Sequence, residues 1–312
     1  MNVLIEVLVP VFAIILAGYL GGRYLNVLGS DSSRALNGFV FYFALPPLLF
    51  AALARVDPGS FFHGAFIAAF LGGQALVFIP ALALGLFFFR KGMANGALFA
   101  MASSYGNTGH LGIPLSMFAF GDSAVLPAVI ATVLTSTVVV AIVMTMIEVE
   151  ASDARGSAAL AGHVIRNLFR NPLLVAPAAG AVWAAFNQPL PEPLGNFCDL
   201  MGKAAGPCAL FALGLFLSTQ RTRPAWGEVG LMSLFKLGIQ PAATYWLAFQ
   251  VFELEPLWAG VCVVTSALPS GVGLFIVAQQ YGRYEELSSA AILTSTLISI
   301  ITLSVLLPNL VP

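Results

Sequence analysis

Of 312 residues, 59% are hydrophobic and only 9% are charged. A soluble domain carries roughly a quarter charged residues, so a water-soluble fold is excluded. The net charge of −1 offers no basic surface for nucleic acid.

A membrane-spanning helix needs about 20 mostly apolar residues. Clusters of charge, Gly and Pro cut the chain into ten such segments, at about 5–22, 34–54, 62–89, 95–120, 124–148, 169–186, 196–218, 227–252, 256–281 and 286–309. The 30 glycines and 19 prolines suit membrane helices, which tolerate both. Helix 1 begins almost at the N-terminus with no basic leader, so it reads as a spanning helix and not as a cleaved signal peptide. Helix 3 carries Gln74 at its middle, which predicts a hydrogen bond to a neighbour.

Helix 4 departs from plain apolar composition. It reads Ser103-Ser104-Tyr105-Gly106-Asn107-Thr108-Gly109-His110-Leu111-Gly112-Ile113-Pro114. Helix 9 departs at the matching point, with Thr265-Ser266-Ala267-Leu268-Pro269-Ser270-Gly271-Val272-Gly273. Proline removes a backbone donor, and glycine lowers the cost of leaving helical geometry. Unwound backbone at this depth is tolerated where it lines a cavity or is buried in protein. The free N–H groups of a half-helix hold an anion without a full charge. A kink that serves only close helix packing is the alternative.

The longest loop, Glu150 to Leu168, divides the chain into a five-helix unit at 1–150, a linker at 151–168 and a second five-helix unit at 169–312. Helix 7 holds Asp199 and Lys203, which are i, i+4 and can pair near the helix end. Helix 8 holds Lys236 about nine residues in, or about 14 Å deep. A lysine there costs roughly 2.5–3.5 kcal/mol on insertion scales. Carbonyls freed at a helix break, or a bound anion, would offset that cost. Cys198, Cys208 and Cys262 fall in apolar segments without motif spacing, as small hydrophobes do.

An offset of 162 residues recurs along the chain. It pairs Pro10 with Pro172, Gly18 with Gly180, Gln74 with Lys236, Ser104 with Ser266 and Thr132 with Thr294. With an odd number of helices per half, the second half must insert upside down. Inverted repeats commonly place a substrate site where they meet at mid-membrane.

Loop charges set the orientation. Arg23, Arg34, Arg90, Lys91, Arg155, Arg166, Arg170, Arg221, Arg223 and Arg283 lie on one side, and Arg55 with several acids on the other. The sequence therefore predicts an inner-membrane protein with both termini outside the cytoplasm. Trp183, Trp226 and Trp258 lie near helix ends, as an interfacial belt or ordinary packing would place them.

Substrate contact is expected from Asn107, Thr108, Gly109, Ser270 and Gly271, with Gly106 and Pro269 making the breaks. The Asn107 amide either donates to an anion or caps the second half-helix. Lys236, His110 and Gln74 are candidates for coupling or charge balance, although a lone histidine is more often a packed residue. No GxSxG, HExxH, CxxC or P-loop occurs, so neither enzyme, metal site nor cofactor is expected.

Gly106-Asn107-Thr108 with Leu111-Gly112-Ile113-Pro114 resembles helix 4 of the auxin efflux carrier family. Leu268-Pro269-Ser270-Gly271 with Ala278-Gln279-Gln280-Tyr281-Gly282 resembles its helix 9, and Phe43-Ala44-Leu45-Pro46, the run Gly206–Gly214, and Lys236 with Pro241 also look like it. The resemblance implies ten helices in inverted repeats, with broken helices 4 and 9 crossing. It implies an elevator-type secondary carrier of a small organic anion, working as a homodimer among membrane lipids. A sodium-coupled symporter, a channel and a ligand-binding sensor on the same fold remain open. Gly106 stands where plant carriers usually have proline, and their long central loop is missing, so auxin is a poor default substrate.

Overall fold

The computed structural model describes residues 9–25, 28, 30–55, 63–89, 92–151, 172–186, 188–219 and 225–310. The described residues form twelve helices and no strand beyond one isolated bridge. They are α1 (Val9–Tyr24), α2 (30–54), α3 (Gly64–Phe88), α4 (Gly92–Ser104), α5 (108–120), α6 (122–151), α7 (Pro172–Ala185), α8 (Glu192–Thr219), α9 (226–251), α10 (Pro256–Ser266), α11 (Val272–Gln280) and α12 (Glu285–Asn309). The segments expected as helices 4 and 9 are thus each two helices, α4 with α5 and α10 with α11. The linker at 151–168, apart from its first residue, lies outside the described residues, as do Arg90, Lys91, Arg170, Arg221 and Arg223.

Five helices, α2, α3, α6, α8 and α12, are long and apolar enough to cross a membrane. The surface agrees with lipid as the solvent. Phe87, Phe88, Leu200, Ile301 and Val305 face outward, whereas Ser103, Ser104, Thr132, Ser266 and Ser299 are buried. A soluble protein arranges these residue types the other way. Several buried hydroxyls satisfy themselves on the preceding helical turn, as Thr132 does with the Ala128 carbonyl at 2.8 Å and Thr265 with Val261 at 2.7 Å.

Proline shapes the long helices. Pro46 and Pro47 have no N–H for the carbonyls one turn back, and α2 widens just before them into a π-turn, 40–44, with Leu45 N–H bonded to Val40 O. Pro241 has the same effect in α9, where the π-turn Phe235–Ile239 precedes it. That wider turn carries Lys236, so the bulge helps set the direction of its side chain.

Glycine sets the closest helix contacts. α1 packs along α8, and a Cβ on Gly18 or Gly214 would overlap the facing backbone, at Phe211 O or Ile15 O. α7 packs along α2 in the same manner, with Gly180 against Phe50 O. α1 therefore lies against α8, and α7 against α2. At one end of the molecule Glu150 of α6 accepts from Ala94 N at 2.6 Å and pairs with Arg283 at 2.7 Å, tying α6 to the start of α4 and to the α11–α12 turn.

Two close contacts should fail together when filled. Gly18→Leu and Gly180→Leu should each lower stability by about 1–3 kcal/mol or more through overpacking. Gly227→Leu, with nothing within 4 Å of its Cβ position, should not. Thermal unfolding in detergent reads the difference, and equal melting temperatures for all three would contradict the packing described.

Candidate functional site

The site is built where two helices stop. α4 ends at Ser104 and α10 at Ser266, and the extended residues that follow pair antiparallel at Gly106 and Ser270. Asn107 N–H donates to Pro269 O, and Gly271 N–H donates to Tyr105 O, each at 2.9 Å. The small residues allow this approach. A Cβ at Gly271 would lie 2.7 Å from Tyr105 Cε1, and one at Gly106 would lie 3.2 Å from Thr265 O.

Pro269 explains why α10 stops. It has no N–H for the Thr265 carbonyl, which sits four residues earlier. The next N–H, of Ser270, donates instead to Ser295 Oγ of α12 at 3.0 Å. The Ser266 carbonyl has therefore lost its helical donor, and Lys236 Nζ takes the place at 2.6 Å. Lys236 is fully buried. Its ammonium would lie 3.5 Å from a Cβ on Gly106, so it reaches the edge of the paired segments. Across the same pairing Ser270 Oγ donates to Ala102 O of α4 at 2.8 Å.

Asn107 stands at the N-cap position of the turn that opens α5, yet its side chain makes no capping bond. Its Nδ2 is buried and has no partner among the described residues. An unsatisfied buried amide costs about 1–3 kcal/mol. Thr108 is buried beside it. Gly109 is not crowded, since a Cβ there meets Thr132 Cγ2 at 3.7 Å. His110 lies in the same opening turn of α5, with Nε2 buried and unpartnered among the described residues.

The structure thus gathers Lys236, Gly106, Asn107, Pro269, Ser270 and Gly271 at one place. Gln74 is tied elsewhere, with Nε2 donating to Thr135 Oγ1 of α6 at 3.3 Å. The expected pairing of Asp199 with Lys203 gives way to a stronger one. Asp199 takes both Arg55 nitrogens, at 2.7 and 3.0 Å, because a guanidinium fork matches a carboxylate better than an ammonium does. Sequence reasoning missed Ser295, although Ser288, Ser295 and Ser299 line one face of α12 and are buried.

The segments 102–114 and 265–273 contain no acidic residue. The first N–H groups of α5 and α11 have no partner within their own helices. With the Asn107 amide and the Lys236 ammonium, the neighbourhood offers donors and positive charge. It suits a desolvated anion. Among the described residues no group of His, Cys, Asp or Glu could hold a metal ion.

A family profile described as Membrane transport protein matches residues 3–307. A Rhizobium meliloti (strain 1021) protein named "Putative malonate transporter" is 30% identical, covering 96% of this chain and 93% of its own. The Escherichia coli (strain K12) "Uncharacterized transporter YfdV" is 23% identical, covering 95% and 94%. The Arabidopsis thaliana "Auxin efflux carrier component 8" is also 23% identical, covering 94% of each.

The bond from Ser270 N–H to Ser295 Oγ holds the break in place, so Ser295→Ala should cost about 1–3 kcal/mol by orphaning a buried donor. Ser304→Ala removes an exposed hydroxyl bonded within its own helix and should leave stability unchanged. Denaturation of the two variants compares them, and an unchanged midpoint for Ser295→Ala would contradict this role.

Proposed function

This chain belongs to the auxin efflux carrier family of membrane transport proteins, and on that premise we propose that it is a secondary carrier of a small carboxylate, held where the two interrupted helices meet. Its family is one of transporters and not of enzymes. The observation that carries the substrate reading is the Asn107 amide, a buried donor without a partner in an acid-free neighbourhood. A carboxylate accepts from Asn107 Nδ2 and from the N–H groups that open α5 and α11. Thr108 and Gly109 shape the wall, with Gly109 leaving room. Ser270 and Gly271 fix the opposite side through their bonds to α4 and Tyr105.

Lys236 supplies the countercharge. In this reading it stands in for a bound metal cation at the freed Ser266 carbonyl, so transport needs no sodium. His110, one turn beyond Asn107, remains a candidate for moving a proton with the substrate. Gln74, bonded to Thr135, braces α3 against α6 and does not touch the anion.

The wider architecture is proposed as ten spans in two inverted units, 1–150 and 169–312, with helices 4 and 9 crossing at their breaks. The reciprocal packing of α1 on α8 and α7 on α2 supports it, because an inverted two-fold exchanges those pairs. These four helices would form the scaffold and homodimer surface. The remaining helices, tied together by Glu150 and the paired breaks, would carry the substrate past them as an elevator. Both termini would face away from the cytoplasm.

Malonate, the substrate in one relative's name, is the first probe. Purified protein should gain thermal stability with malonate, since a ligand of the native state stabilises it. Asn107→Leu should abolish that gain and cut proteoliposome uptake about tenfold or more. Lys236→Gln should impair uptake, and the parent should work without sodium. Parental binding and uptake in Asn107→Leu would move the site elsewhere. A strict sodium requirement would return the reading to a sodium symporter, and non-saturable flux would make it a channel.

A further inference from the structure

A second feature lies about 15 Å further along α5, taking ten residues at 1.5 Å per residue from Asn107 to Met117. A cleft of about 610 Å³ opens there between two walls. One wall is α2 and α8, with Arg55, Asp199 and Lys203. The other is the end of α5 and the start of α6, with Met117 and Asp122. Volumes of this size hold small ligands. Beyond the cleft α5 packs closely on α8, where a Cβ at Gly206 would lie 3.3 Å from Pro114 Cγ. Pro114 is on the same half-helix that Asn107 opens. The cleft therefore shares α5 with the Asn107 region but is too far from it for one small anion to touch both.

The charges of the cleft are not equivalent. Arg55 is neutralised by its two bonds to Asp199 and also donates to Gly195 O, 3.5 Å away. Lys203 is exposed and has no hydrogen-bond or ion-pair partner among the described residues. Asp122 is exposed on the facing wall. Lys203 therefore makes no direct bond, although its charge acts on Asp199 nearby, and one acid stands opposite it. An exposed ammonium that makes no direct bond can still pair with a carboxylate that enters the cleft.

We propose that this cleft is an outer capture site for small carboxylates, with Lys203 as the cation that holds them on the way to Asn107. Asp122 weakens that hold and keeps the site from retaining its ligand. This inference rests on the carrier reading above. Capture at a rim charge changes the apparent affinity and its salt dependence more than the turnover.

The test is malonate uptake into phosphatidylcholine proteoliposomes at low and high salt. Lys203→Gln should raise KM roughly threefold to tenfold at low salt with kcat near that of the parent, and high salt should erase the difference. Lys203→Arg should restore the parental KM, and Asp122→Asn should lower it. All three variants change exposed side chains, and size-exclusion profiles check their folding. An unchanged KM in Lys203→Gln, or a loss of kcat alone, overturns the capture site while the Asn107 reading stands. An effect that appears only after phosphatidylglycerol is added assigns Lys203 to lipid headgroups and also overturns it. A parent that takes up no carboxylate removes the carrier reading and this inference together.

Discussion

In lipid every backbone N–H and C=O must find a partner inside the protein, and the arrangement around Pro269 follows from that rule. Proline withholds one donor, and Ser270 spends the next on Ser295. The carbonyl left at Ser266 then takes the Lys236 ammonium. A lysine that would be costly alone and a carbonyl that would be costly alone satisfy each other. The break is thus a solved hydrogen-bond problem and not a loose hinge. Pairing of the two extended segments through Asn107 N–H and Gly271 N–H completes it.

That solution fixes the backbone but leaves one side chain out. Asn107 has its N–H bonded and its amide Nδ2 unpartnered among the described residues. A buried donor of this kind is an expense without a ligand and an asset with one. The same contrast separates Ser270 from Asn107. The Ser270 hydroxyl already serves the Ala102 carbonyl, so it stabilises the frame, whereas the Asn107 amide is available to a guest.

Much of this was legible in the sequence, for identifiable reasons. The helices follow from apolar runs of spanning length, and the interruptions from Gly106, Pro269 and Gly271. The depth of Lys236 requires a partner, and a carbonyl freed at a helix break is one. What stayed hidden depends on tertiary neighbours. Nothing local says that Asp199 faces Arg55 from 144 residues away. Gln74, 162 residues before Lys236, meets Thr135 of α6, a partner that only the fold supplies. Ser295 was readable only as one member of a buried hydroxyl stripe, whose target could not be named without the fold.

The central claim is that the uncommitted amide of Asn107 is the contact to the carboxylate. Solid-state NMR on protein with ¹⁵N-labelled asparagine side chains and ¹³C-carboxyl malonate measures that contact directly. The account predicts dipolar coupling between the malonate carboxyl carbon and Asn107 Nδ2, at a separation of about 4 Å or less as one hydrogen bond requires, and its loss in Asn107→Leu. Coupling to no asparagine, with malonate still bound, would contradict it.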